Sequence, residues 1–490
     1  MVKRAILLVT ILCFVCQIAF SQEASDTTAG EQPVSGDNES GEKEIRLLSL
    51  DDCIELAIKQ NRDFIRQEEG FILDQLAYGL VKRGYGPLLS GSVRTDVEKG
   101  GTMTKSAETS LTQRLPTGGD VELSAQTAGS TGSDIDPDAY NSTIALKYIQ
   151  PLLKDAGPLA YKEELTTAER ELKYAERSLT LFKQEFLINI IRQYCRLLQQ
   201  KKTITNQEQK VENAKFLLER SKAQMDRGKA SPIDVYRAEI SLLQAENDLL
   251  NSKDSYQLSL DEFKIDLGLP TEVEMELQDR DLRYAAEIIN LNDYVKLALA
   301  NRLDYQTAYD RVTDSKRRLD IARNRLRSRL DFDLSLQTQT GPAATFRDQD
   351  FGEGEWIVGL EYEIPFDRRV EKTEYRERLI DYLQQTRARE ALRDQIVGEI
   401  RIVVRDIRKS EATIKIQERN IEVAEKQLDR AKEDYDRGAI TNRDYVDAVT
   451  DLTDAKNSYN EAIVDYFIAQ LDGLRVTGTL EFEKWKDLIK

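Results

Sequence analysis

Asp226-Arg227-Gly228-Lys229-Ala230-Ser231-Pro232-Ile233-Asp234 and Asp436-Arg437-Gly438-Ala439-Ile440-Thr441-Asn442-Arg443-Asp444 are two copies of one helix break, set 210 residues apart. In each copy a glycine stands where a helix ends, because it enters the left-handed conformation without a Cβ penalty. Ser231 or Thr441 then caps the next helix, with a carboxylate three residues on and Pro232 in the first turn of copy one. The offset persists on both sides. Ala214 pairs with Ala424, Leu218 with Leu428, Ala238 with Ala448, Tyr256 with Tyr466 and Gly268 with Gly478. The spacing predicts an internally duplicated chain whose skeleton is two helical hairpins in tandem.

Outward from the breaks, residues 153–226 and 232–268 read as the arms of the first hairpin, and 367–437 and 441–475 as those of the second. No turn signal interrupts the long arms, which at 1.5 Å per residue span about 100 Å. Before each long arm the period changes from helix to strand. A helix from Leu50 to about Lys82 leads into alternating segments over 88–150, and a helix from Asn290 to about Arg329 leads into alternation over 330–364. The pair of alternating stretches over 107–127 reads either as an extension of the first strand or as a separate hairpin. These boundaries give a first repeat over 46–270, a connector over 271–290, a second repeat over 291–479 and a tail over 480–490. In each repeat the long helix matches the two shorter ones added together. Laid side by side, they form a two-layer wall rather than a globule.

Residues 1–21 read as a secretory signal, with Lys3 and Arg4 before an apolar run and Ala19-Phe20-Ser21 as the cleavage site. Residues 22–45 are acidic and nearly free of apolar side chains, the composition of a disordered leader. The 490 residues carry a net charge of −17, which opposes nucleic-acid binding, and contain no histidine, which removes the commonest acid/base and metal ligand. Cys13 and Cys16 would leave with the signal, and the remaining Cys53 and Cys195 are too few for a disulfide framework or zinc site. There is no glycine-rich phosphate loop, so no enzyme, cofactor or metal is expected. No run beyond the signal reaches membrane-helix length, so a membrane location requires β structure.

The helix–strand–loop–strand–helix order, the duplication, Gln150-Pro151-Leu152-Leu153 and Ile364-Pro365-Phe366 at the strand-to-helix junctions, and the two Arg-Gly breaks together resemble the TolC family of outer-membrane efflux and secretion ducts. The resemblance spans Leu50 to Thr479. It implies a mainly α fold with β: a homotrimer whose protomers each give four strands to a twelve-stranded outer-membrane barrel, continued by a periplasmic α-helical barrel of antiparallel coiled coils. It further implies a periplasmic adaptor, an inner-membrane pump, and a role in tripartite efflux or type I secretion. The rival class is a secreted or periplasmic coiled-coil scaffold or adhesin without a pore.

Three groups of residues follow. Ile144, Leu146, Tyr148, Phe332, Leu334, Leu336, Trp356, Val358, Leu360 and Tyr362 are expected to face lipid, with Tyr140 and Phe366 joining an aromatic girdle. The resemblance places Asp444 and Asp447 at a periplasmic gate that gathers six carboxylates around the axis, with Asp234 and Tyr435 beside it. Capping accounts for Asp444 and Asp234 as well; it does not account for Asp447. A family arginine that ties the two halves falls at Ile440, so closure is expected to use Arg443 or Arg237. Arg227, Gly228, Lys229, Arg437, Gly438 and Ala439 form the tip where an adaptor would dock.

Overall fold

Gly228 and Gly438 adopt φ of +70° and +73°, so both chain reversals occur where the sequence places them. The computed structural model describes residues 46–97, 103–131, 140–228, 231–279, 290–340 and 354–484. The chain divides into Met1–Ile45, outside the described residues together with the expected signal and leader, and Arg46–Lys490.

The second unit starts with β1 (Arg46–Leu48), α1 (Leu50–Gln60) and α2 (Arg62–Arg83). Four strands follow: β2 (Leu88–Val97), β3 (Met103–Arg114), β4 (Asp120–Thr131) and β5 (Tyr140–Pro151). A short turn of helix, α3 (Pro158–Tyr161), precedes the long α4 (Glu163–Asp226) and its return, α5 (Pro232–Leu267). After β6 (Met275–Leu277) come α6 (Leu291–Asn301), α7 (Leu303–Arg325), β7 (Arg329–Gln339) and β8 (Glu355–Glu363). The long α8 (Arg369–Asp436) and its return α9 (Asn442–Thr477) complete the second half. The fold is mostly helical with one large sheet, as the periodicity predicts.

Along α4 lie α2, of 22 residues, and α5, of 36, which together nearly match its 64. Along α8 lie α7 and α9 in the same way. The short helices meet end to end at a joint the sequence reading misses. The first helix is not continuous from Leu50 to Lys82. It breaks at Asn61, which caps α2 by accepting the Phe64 N–H at 2.8 Å and donates its amide to the Asp266 carbonyl at 2.7 Å. Gly268, at φ +78°, presses on this joint so closely that a Cβ there would lie 2.4 Å from the Gln60 carbonyl oxygen. In the second half the helix breaks at Arg302, and a Cβ on Gly478 would lie 3.0 Å from the Arg302 nitrogen.

Below the joints the helices bury their apolar stripes. Cys53, Ile54, Leu187, Ile191, Phe263 and Leu471 belong to one cluster, and Ala298, Ile400, Val404 and Tyr466 to a second. The parallel pairing of β1 with β6 closes the first cluster by tying Arg46–Leu48 to the connector. No helix among the described residues is long and apolar enough to cross a membrane.

The sheet corrects one expectation. It holds six strands in the order β2-β3-β4-β5-β7-β8, all antiparallel, rather than four. The segment 107–127 belongs to a separate hairpin, β3–β4, because Leu115–Gly119 makes a tight turn in which Gly118 takes φ +90°.

Candidate functional sites at the hairpin tip and on the sheet faces

The tip is built from four helix ends. Helix α4 stops at Asp226 and α5 restarts under a capping box in which the Ser231 N–H and hydroxyl donate to Asp234 at 3.1 and 2.7 Å. Helix α8 stops at Asp436, and the Thr441 N–H and hydroxyl donate to Asp444 at 2.9 and 2.8 Å. The backbone bond from Thr441, seconded by its hydroxyl, holds the Asp444 carboxyl below the usual carboxylate range. The Ser231 hydroxyl and backbone do the same for Asp234. Both carboxylates are therefore engaged by their caps. Asp447 lies beyond the cap, exposed, with Arg443 at 3.7 Å.

The expected ties through Arg443 and Arg237 are not the ones formed. Each points along its own helix, Arg443 to Asp447 and Arg237 to Asp234 at 4.0 Å. A different set crosses between the hairpins. The buried Asn442 amide donates to Ser221 Oγ at 2.9 Å and to the Asp234 carbonyl at 2.8 Å. Ser221, fully buried, lies 3.3 Å from the Tyr435 hydroxyl. Arg220 pairs with Asp436 and sits over the Tyr435 ring. Tyr435 stacks at a tilt on Tyr445, 5.5 Å between centroids, inside a cluster that includes Leu217, Val235, Ala238 and Ala448. The tie joins a buried neutral bond, Asn442 to Ser221, with the partly exposed Arg220–Asp436 ion pair. Nothing local in the sequence marks Ser221 or Asn442 for it.

Arg227, Gly228, Arg437, Gly438 and Ala439 are exposed at the reversals; Lys229 lies outside the described residues. A Cβ on Gly228 or Gly438 would meet nothing within 4 Å, so these glycines serve the backbone alone.

In the sheet, register decides which side chains share a face. Leu89, Leu111, Leu123, Leu146, Leu336 and Trp356 lie in one row across all six strands. Ile144, Tyr148, Phe332, Leu334, Val358, Leu360 and Tyr362 fall on that same face. Lys105 is its one charged residue among the described strand residues. The opposite face carries Arg94, Glu108, Glu122, Lys147, Asp333 and Glu361 among other polar groups. Tyr140 lies in β5, and Phe366 stands fully exposed beyond β8.

Comparison with known proteins adds lineage to this geometry. A family model described as outer membrane efflux protein matches residues 96–263 and 294–472. The outer-membrane channel OprN superposes with a TM-score of 0.67 at 16% identity, over 92% of this chain and 98% of that one. The outer membrane protein VceC of Vibrio cholerae gives 0.67 at 16%, over 88% and 96%. The open-state MtrE outer membrane channel of Neisseria gonorrhoeae gives 0.65 at 12%, over 91% and 94%. At such identities the structural likeness carries the fold. No curated protein matches by sequence.

Proposed function

The chain belongs to the outer membrane efflux protein family, and from that premise we propose that three copies form a duct carrying substrates from the periplasm or an inner-membrane pump to the exterior. One observation supports this reading above the others: among the described residues, the six-stranded sheet with one apolar and one polar face has no second apolar layer to cover it. Lipid outside and water inside satisfy the two faces at once. A pore-free scaffold would leave Trp356, Leu360 and Tyr362, each more than half exposed, against water.

The helices support assembly independently. On α5, Ile233, Tyr236, Ile240, Leu243 and Leu250 are exposed at spacings of three, four and seven, the seam of a coiled coil awaiting a neighbouring helix. On α8, Ile402, Ile416 and Val423 repeat at heptad multiples. A second and third copy supply the partners.

At the tip of a trimer, the Asp444 and Asp447 carboxylates of three chains would ring the axis and attract cations. The like-charge crowding that raises carboxylate pKa values arises there only between copies. Asp444→Ala with Asp447→Ala is expected to weaken block by polyvalent cations at least several-fold in planar-bilayer recordings. Unchanged block removes these residues from the gate.

The exposed reversals are where a periplasmic adaptor would seat, coupling the duct to its pump in tripartite efflux or type I secretion. Gly228→Trp combined with Gly438→Trp places bulk into open space at a backbone strain of about 1–2 kcal/mol per site. Detergent-stable trimers should persist while export in cells is lost; full export in the double variant would refute docking at this place.

A further inference from the structure

The β3–β4 hairpin asks where a sheet of six strands ends and what it meets. Its two edges are β2, ten residues long, and β8, nine residues long, and among the described residues neither has an outer partner. An open edge at membrane depth leaves backbone N–H and C=O groups without partners, each costing several kcal/mol. The edges run in opposite directions, because six alternating strands separate the first from the last by an odd number of reversals. Set beside a second copy, β2 of one chain is therefore antiparallel to β8 of the next.

We propose that the free edge of β2 accepts β8 of a second copy, so that three sheets close into one wall of eighteen strands with the β3–β4 hairpin a full member of it. This rests on the trimeric duct proposed above and specifies how its sheets join.

Three observations carry it. The hairpin is paired along its whole length on both sides, from Leu88↔Thr112 to Val97↔Met103 and from Asp120↔Ile149 to Gly129↔Tyr140. The apolar face continues through it, with Lys105 its one charge: Val93, Ala107 and Thr127 lie in one row, Leu89, Leu111 and Leu123 in another. Its inner turn is fastened to the base of the helices. The Gly157 N–H donates to the Thr117 carbonyl at 3.0 Å, the Gln150 amide to the same carbonyl at 3.0 Å, and the Tyr161 hydroxyl to the Arg114 carbonyl at 3.2 Å. A Cβ on Gly119 would stand 2.7 Å from the Ile149 carbonyl oxygen, so only glycine lets this turn seat. A twelve-stranded wall made of β4, β5, β7 and β8 would expose β4 as its edge and leave β2 and β3 outside it, against the continuous pairing of β3 with β4. Since barrel diameter grows roughly in proportion to strand number, the wall would be about 1.5 times as wide as one of twelve strands. Cargo size is then set at the tip.

Disulfide trapping in the full chain tests this. Gly359→Cys on β8 is combined with Ser90→Cys or Ser92→Cys on β2, and separately with Ser124→Cys on β4; all four positions lie on the polar face. Cys53 and Cys195 are wholly buried and stay out of the reaction, and Cys13 and Cys16 are replaced by serine in every variant. After oxidation, the β8–β2 combinations should yield covalent dimers and trimers on a non-reducing gel. Within one chain these positions lie at opposite edges of the sheet and cannot join. Trapping through Ser124 instead, or through neither, overturns the eighteen-stranded wall. Parallel amine cross-linking reports the copy number regardless of which edges meet. Trimers without β8–β2 trapping refute this inference alone, whereas monomers refute the trimeric duct beneath it as well.

Discussion

Gly268→Ala is expected to prevent assembly: no detergent-stable trimer, and helical signal lost well below the melting temperature of the parent chain. Two costs combine there. The left-handed backbone, φ +78°, strains any residue with a Cβ by about 1–2 kcal/mol. The larger cost is steric, because the new methyl would stand 2.4 Å from the Gln60 carbonyl oxygen and 2.9 Å from the Asn61 nitrogen. Both are backbone atoms of the joint between α1 and α2, so relief requires moving a helix whose Cys53, Ile54 and Ala57 are fully packed. The sum should exceed about 4 kcal/mol, the class reserved for core disruption. Gly228→Ala provides the contrast. It shares the backbone conformation, φ +70°, but has open space around it, and should cost only the strain. Equal melting temperatures for the two variants would show that the joint does not bear on the fold.

Asn442→Ala, alone and with Arg220→Ala, is expected to shift the tip toward an open state and raise single-channel conductance. Asn442 is the first residue of α9, after the Thr441 cap, where alanine is well tolerated; the helix should therefore survive the change. What is lost is the tie. Ser221, wholly buried, and the Asp234 carbonyl each lose a partner, at about 1–3 kcal/mol per unsatisfied group. A loss of about 2 kcal/mol changes the ratio of tied to untied hairpins roughly 30-fold. The Arg220–Asp436 pair is partly exposed on both sides, so its removal should add at most about 1 kcal/mol. The neutral amide should therefore outweigh the ion pair. Unchanged conductance with unchanged trimer stability would disprove a gating role for the tie.

How far these features were legible before the structure depends on how local their cause is. Gly228 and Gly438 announce themselves, because a left-handed glycine followed by Ser231 or Thr441 and a carboxylate is a complete signal within nine residues. The strands were equally plain as alternation. All six segments alternate, but alternation does not decide whether 107–127 extends the first strand or forms its own hairpin, and the count of four is what the family resemblance implies. The joint at Asn61 was not legible, since Asn61 interrupts an otherwise apolar helical stripe without a glycine or proline. The break is imposed by Asp266 and Gly268, some two hundred residues downstream. The tie at the tip lies further out of reach. Ser221 and Asn442 are single small polar residues in separate helices, and their pairing exists only once four helix ends converge.

The alternation of strand directions also limits how such a wall can change during evolution. Inserting one strand would bring two edges of like direction together at every junction between copies, forcing a parallel seam into an otherwise antiparallel cylinder. Inserting a hairpin preserves the junction, and three-fold repetition multiplies it. Walls closed in this way should therefore differ in girth by whole increments of six strands.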